Sequence, residues 1–233
     1  MKKFIIYGLG RSGTTNLAAG LGNGILYEKV IQEPFSRKSG DVSHFEHLRE
    51  LQKEYGFFPH NLLGGKDGVF PKGRKQVHSF LDRLYEKYHG IKHVFTSCNS
   101  IINIPLVEYL NENKIKVIHL RRKSILDVTL SNNLAHQHET WGWKEGTREH
   151  LDNFDYTDLD CDRLLESAEH IYNSVIVSED AIKKTIKENN LLSFYYEDLY
   201  VSDPEGRNEN FNKICDFIEV KRDLLLGYVV KHH

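Results

Sequence analysis

The feature that most constrains this chain lies at residues 4–18, FIIYGLGRSGTTNLA. An apolar run reaches Gly8, three glycines (8, 10 and 13) follow within six residues, and helix-compatible residues begin at Thr14. A short run that is apolar without alternation suits a strand covered on both faces, as in a parallel sheet. Glycines let the loop take left-handed backbone angles and approach a ligand closely. The first turn of the following helix leaves N–H groups without intrahelical partners, which makes it an anion site. This opening therefore predicts an α/β domain with an anion bound beyond the carboxyl end of its first strand.

The remainder of the chain repeats the strand–helix alternation. Strand-like runs fall at 24–29 (GILYEK), 91–97 (IKHVFTS), 114–121 (KIKVIHLR) and 191–197 (LLSFYYE). Helical patterns cover 41–56, 74–90, 124–137, 161–190 with a break expected near Ser174, 206–220 and 221–231. Such alternation predicts a doubly wound, mostly parallel sheet with flanking helices, in one domain over residues 1–233. Residues 139–160 lack periodicity and read as a long loop, a lid or an acceptor loop.

A formal net charge of −2 gives no general attraction for nucleic acid, so any anion affinity must be local. Cys98, Cys161 and Cys215 are odd in number and widely spaced, which reads as reduced thiols and a cytoplasmic location. No run approaches the roughly 20 apolar residues of a membrane span. Gly8, Gly10 and Arg11 interrupt the apolar segment after Met1-Lys2-Lys3 before it resembles a leader.

Which anion the loop holds is a narrower question. Residues 8–13, GLGRSG, satisfy the dinucleotide pattern, and Glu28 lies 20 residues beyond Gly8, where an acid can hold a ribose hydroxyl. That would make the chain an NAD(P)-binding oxidoreductase. Gly8 and Gly13 also have the spacing of the triphosphate P-loop, but Thr14 stands where its lysine belongs. The strand KVIHL ends in Arg121 and Arg122 instead of a magnesium-binding aspartate. Two cations with no lysine–metal pair suit an anion less charged than ATP.

In these residues the chain resembles the sulfotransferases that use 3′-phosphoadenosine 5′-phosphosulfate (PAPS). Arg11-Ser12-Gly13-Thr14-Thr15-Asn16-Leu17 matches the family loop [KR]-S-G-T-[TS]-x-L that wraps the 5′-phosphosulfate. KVIHLRRKSILDVTLS (116–131) is similar to the family's second signature, a strand-end arginine and a helix serine that grip the 3′-phosphate. FYYEDL (194–199) resembles the segment that closes the last core strand in many members. The resemblance implies a P-loop-like fold and transfer of a sulfuryl group from PAPS to a hydroxyl or amine. It implies release of 3′-phosphoadenosine 5′-phosphate (PAP) and no metal requirement. It further implies a small-molecule, carbohydrate or lipid acceptor. A non-catalytic nucleotide-binding module with the same loop is the third reading.

The resemblance assigns Arg11, Ser12, Gly13, Thr14, Thr15 and Asn16 to the phosphosulfate. Arg122 with Ser131 falls to the 3′-phosphate, and Arg11 doubles as a catalytic cation at the departing oxygen. Arg122 and Ser131 are nine residues apart, one more than the commoner family spacing, so Arg121 is the alternative ligand. Neighbouring strand-end residues point opposite ways, so one arginine is a ligand and the other an ion-pair partner. Glu33 in IQEPF and His93 in GIKHVFTS are the two candidates for the base that takes the acceptor proton. Lys92 is a candidate contact for acceptor or sulfate. His44, His47, His136 and His138 complete no recognised metal set and read as solvated. Trp141 and Trp143 can stack on an acceptor or pack the loop.

Overall fold

The computed structural model describes residues 1–23, 30–35, 54, 58–59, 69–70, 73–96, 98, 100–137 and 160–220. Its centre is a five-stranded, wholly parallel sheet of β1 (Phe4–Gly8), β2 (Val30–Gln32), β5 (Gly90–Val94), β6 (Lys116–Arg121) and β7 (Leu191–Tyr195). The spatial order is β2-β5-β1-β6-β7. A short antiparallel pair, β3 (Phe58–Pro59) and β4 (Val69–Phe70), stands apart from it.

The first strand is fully buried, and its side chains divide between two cores. Phe4 and Ile6 pack with Leu17, Ala18 and Leu21 of α1 (Thr14–Asn23), and with residues of α7 (Pro204–Ile218). Ile5 and Tyr7 face the other layer: α2 (Arg74–Lys87), α3 (Ser100–Glu112) and α5 (Cys161–Thr185). Each Leu, Ile or Phe buried in these layers contributes about 1.5–3 kcal/mol. Two covered faces explain why the strand sequences read as unbroken apolar runs.

Several elements differ from the sequence expectation. The second strand is Val30–Gln32, and residues 24–29 lie outside the described residues, as do 36–53 and the tail from 221. The last strand stops at Tyr195, where a short helix α6 (Tyr196–Tyr200) begins. The helix α5 runs unbroken through Ser174, whose hydroxyl bonds back to the His170 carbonyl. The helix α3, which contains Pro105, has no counterpart in the expectation. Proline within its first turns removes a single ladder bond, and the buried Ile102, Leu106 and Leu110 outweigh that loss.

The order of strands decides where a ligand sits. The chain goes from β1 to β2 and β5 on one side, then crosses β1 to reach β6 and β7 on the other. The crevice at this reversal opens at the carboxyl end of β1, which is the glycine loop. In the usual dinucleotide order the second strand flanks the first. Here β5 separates them, a departure from that order, and Glu28 lies outside the described residues.

The helix α5 is fastened over the sheet by two buried-side contacts. The Ser178 hydroxyl donates to the Tyr7 hydroxyl at 2.9 Å. Arg121 gives Glu179 a bidentate pair, Nε to Oε1 at 2.6 Å and Nη2 to Oε2 at 2.7 Å. Burial alone would raise the Glu179 pKa, but hydrogen bonds from Arg121 and Lys183 outweigh it and hold the carboxyl below its ordinary value. A depressed native pKa stabilises the fold above the unfolded value and ceases to do so as pH falls through the native one. Glu179→Ala should therefore cost about 1–3 kcal/mol near neutral pH. Denaturant titrations should find the gap to wild type narrowed near pH ~3, where the unfolded carboxyl is protonated.

Candidate functional site

The loop between β1 and α1 owes its shape to two glycines. A Cβ on Gly8 would lie 2.7 Å from Thr14 Cγ2 and 3.0 Å from the Leu120 carbonyl oxygen. Gly13 has φ of 75°, and a Cβ there would meet the Tyr200 ring at 2.5 Å and the Tyr196 ring at 3.0 Å. Gly10, the middle glycine of the dinucleotide pattern, has ordinary room for a Cβ, with Thr96 Oγ1 3.6 Å away. Arg11 takes a left-handed φ of 62°, a conformation that costs a non-glycine residue on the order of 1–3 kcal/mol. The Ser12 hydroxyl donates to the Leu9 carbonyl, tying the loop to itself.

Leu17 N–H to Gly13 O, at 3.0 Å, is the first main-chain bond of α1. The N–H groups of Thr14, Thr15 and Asn16 therefore have no helical acceptor and carry the positive end of the helix. Tyr200 donates its hydroxyl to the same Gly13 oxygen at 3.0 Å, pinning the loop from α6.

Two guanidiniums converge on one side of this helix end. Arg11 Nε donates to Ser131 Oγ of α4 (Ile125–Gln137) at 2.9 Å. Arg122 Nη1 donates to the Arg11 carbonyl at 3.0 Å. Desolvation, followed by the proximity of Arg122, lowers the Arg11 pKa. Arg122 also lies 4.4 Å from the Tyr196 ring centre and 2.9 Å from Glu197 Oε1 through Nε. Arg121 turns the opposite way, onto Glu179 and the Tyr195 ring. The alternation of a strand thus commits one arginine to the loop and the other to α5.

On the other side of the helix end stands a lysine–glutamate pair. Lys92, with a side chain only 5% exposed, forms an ion pair with Glu33 and donates to Thr15 Oγ1 at 2.9 Å. The Glu33 N–H donates to the Lys92 carbonyl at 2.7 Å, and Glu33 is itself left-handed with φ of 46°. Its carboxylate is partly exposed, at 23%.

His93 follows Lys92 on β5 and so faces the opposite layer. It is buried among Tyr7 and Phe35, and its Nε2 lies 2.8 Å from Asn103 Oδ1. Asn103 donates Nδ2 to the Phe95 carbonyl at 3.0 Å, so Oδ1 is the acceptor and His93 Nε2 carries the proton. Burial lowers the His93 pKa to about 4, leaving the ring neutral near pH ~7. Cys98 Sγ lies 3.7 Å from the same nitrogen, and burial pushes its thiol pKa up.

The structure thus gathers Arg11, Ser12, Gly13, Thr14, Thr15, Asn16, Arg122 and Ser131 around the amino end of α1, with Glu33 and Lys92 on its other side. It does not bring Arg121 or His93 there. Tyr196, Glu197 and Tyr200 were missed as site residues. Their signal was the i,i+4 pair of tyrosines in YYEDLY, which places both on one helix face. His44, His47, His138, Trp141 and Trp143 lie outside the described residues. Among the described residues no helix is long and apolar enough to cross a membrane, and no three metal-ligating side chains cluster.

No family model matches the chain, and no curated protein matches it. Solved structures similar to it include the sulfotransferase domain from the curacin biosynthetic pathway. That likeness has 13% identity and a TM-score of 0.49, covering 95% of this chain and 75% of that one. A sulfotransferase from Alicyclobacillus acidocaldarius is similar at 15% identity and a TM-score of 0.48, covering 96% and 83% respectively.

His93 offers a direct check of this geometry. Its ring should titrate in an NMR pH series with a midpoint near 4, as its burial dictates. A midpoint above ~6, close to the free imidazole value, would place the ring in water instead.

Proposed function

We propose that the protein is a sulfotransferase that moves a sulfuryl group from PAPS to an acceptor hydroxyl or amine and releases PAP. The observation that carries this reading is the convergence of Arg11, Arg122 and Ser131 on the open end of α1. The P-loop lysine position is taken by Thr14, which is buried. Fixed cations and helix amides suit a bound phosphosulfate, because the transferred group is weakly charged and needs no metal to neutralise it.

In this reading Thr14, Thr15, Asn16 and the loop amides hold the 5′-phosphosulfate. Arg122 and Ser131 hold the 3′-phosphate. Arg11 offsets charge on the oxygen that leaves with PAP. Glu33 is the base: its partly exposed carboxylate stands beside the helix end, whereas His93 is buried on the other face of the sheet. The acceptor oxygen or nitrogen attacks sulfur in line and its proton passes to Glu33. The bond from sulfur to the 5′-phosphate oxygen breaks, and PAP keeps the electron pair. Lys92, between Glu33 and Thr15, holds the carboxylate toward the helix end. The acceptor is a small molecule, carbohydrate or lipid.

Calorimetry with PAP and AMP tests the donor site. PAP should bind more tightly than AMP with no magnesium present. Arg122→Ala should lose about one to two decades of PAP affinity and little for AMP, the worth of a charge-assisted bond. Arg121→Ala should leave the preference intact. Equal affinity of the wild-type protein for PAP and AMP would overturn the reading.

A second measurement addresses the chemistry. Glu33→Gln should lower turnover of a responsive acceptor by roughly 10²–10⁴ while PAP affinity stays near wild type. Unchanged turnover in that variant would remove Glu33 from the base role.

A further inference from the structure

Strand alternation sends Arg122 to the loop side, but a long side chain at a strand end needs further contacts to fix which edge of its guanidinium faces the loop. Its orientation comes from α6, about 75 residues further along the chain. Three contacts do this. The guanidinium stacks over the Tyr196 ring at 4.4 Å. Glu197 Oε1 lies 2.9 Å from Arg122 Nε, and Glu197 Oε2 accepts the Lys123 main-chain N–H at 3.2 Å. One carboxylate therefore spans the arginine side chain and the backbone that follows it. Asp198, the next residue, takes Lys123 Nζ at 2.6 Å, so the whole strand end is stitched to α6.

The geometry of the contact with Nε is informative. Nε is buried and within 2.9 Å of Glu197, yet it makes no hydrogen bond, because its N–H does not point at the carboxylate. The attraction is ionic and acts at Nε. The Nη edge is left facing the loop, where Nη1 already reaches the Arg11 carbonyl. Both side chains are largely shielded, at 13% and 22% exposure, so the pair is less screened than a surface ion pair. The other nearby acid, Asp127, is 3.9 Å from Nη2 and 58% exposed, a much weaker hold.

We infer that Glu197 is a positioning residue for the nucleotide site: it fixes the Nη edge of Arg122 toward the loop, and preference for a 3′-phosphorylated nucleotide depends on it. The inference rests on the PAP reading above and extends it to a residue that touches no ligand. A carboxylate so close to an anion-binding arginine has an obvious opposing effect, since it partly neutralises the cation. The two effects predict opposite signs when the acid is removed. If orientation dominates, PAP affinity falls; if neutralisation dominates, it rises. The stack on Tyr196 and the bridge to Lys123 favour orientation, because both restrain the same strand end.

The experiment is a double-mutant cycle read by calorimetry with PAP and AMP, on wild type, Glu197→Ala, Glu197→Gln, Arg122→Ala and the Arg122→Ala/Glu197→Ala double variant. Glu197→Ala should reduce the ratio of PAP to AMP affinity about tenfold, leaving AMP binding unchanged. Glu197→Gln, which retains an acceptor for Lys123, should keep part of the ratio. In the Arg122→Ala background, Glu197→Ala should change the ratio no further, a result that general destabilisation does not produce. Thermal midpoints accompany each variant, and Glu197→Gln carries the cycle if the alanine variant does not fold. An undiminished or raised PAP preference in Glu197→Ala overturns the inference, as does an equal loss in the Arg122→Ala background. If the wild-type protein already fails to prefer PAP, the donor reading itself falls and this inference falls with it.

Discussion

The carboxyl end of the sheet depends on Gly13 having no side chain. Two tyrosine rings of α6 occupy the space a Cβ would need, and Tyr200 bonds the Gly13 carbonyl. That contact joins the loop after the first strand to the helix after the last one. It also brings Tyr196 and Glu197 to the height at which Arg122 leaves β6. A substitution at Gly13 would both force a left-handed backbone on a residue with a Cβ and drive the two tyrosines away.

Around that joint, charge is distributed by strand alternation. Lys92 and His93 are neighbours, as are Arg121 and Arg122, and in each pair one member faces the loop helix while the other enters the opposite layer. The layer under α5 takes its polar members only as satisfied or neutral groups. Arg121 is paired, Tyr7 is bonded to Ser178, and burial lowers the pKa of both His93 and His119 to about 4. The loop face instead holds Arg11 and Arg122 beside the free amides at the amino end of α1. An interior that tolerates no unpaired charge leaves the positive groups described here at the loop face.

Among the described residues four non-glycines are left-handed; Lys114 and Glu219 lie at helix ends, and the other two flank α1. Arg11 and Glu33 both adopt left-handed backbone angles, and they stand on opposite sides of the α1 terminus. Each is fixed by contacts from other segments: Arg11 through Ser131 and the arginine that caps its carbonyl, Glu33 through the main chain and side chain of Lys92. Such conformations persist only where the surroundings over-determine them, and functional sites are where they gather.

Local sequence determined much of this protein. The apolar run to Gly8, the glycine loop and the helix from Thr14 are visible as a string because their causes are local: burial on two faces, a left-handed turn and an unsatisfied helix end. The same holds for α2, α4 and β6, whose observed bounds lie close to the pattern. Tertiary structure decided the rest. Whether Arg121 or Arg122 faces the loop, and whether Lys92 or His93 does, follows from which layer covers each side of the sheet. Pairings such as Arg11 with Ser131 or Tyr200 with Gly13 join residues more than a hundred positions apart. The helix through Pro105 and the one that begins at Tyr196 contradict local preference, because packing against the core outweighs a lost ladder bond or a strand-like run of aromatics. Periodicity reports only the surroundings that a residue's own segment creates; contacts made by distant segments leave no period to read.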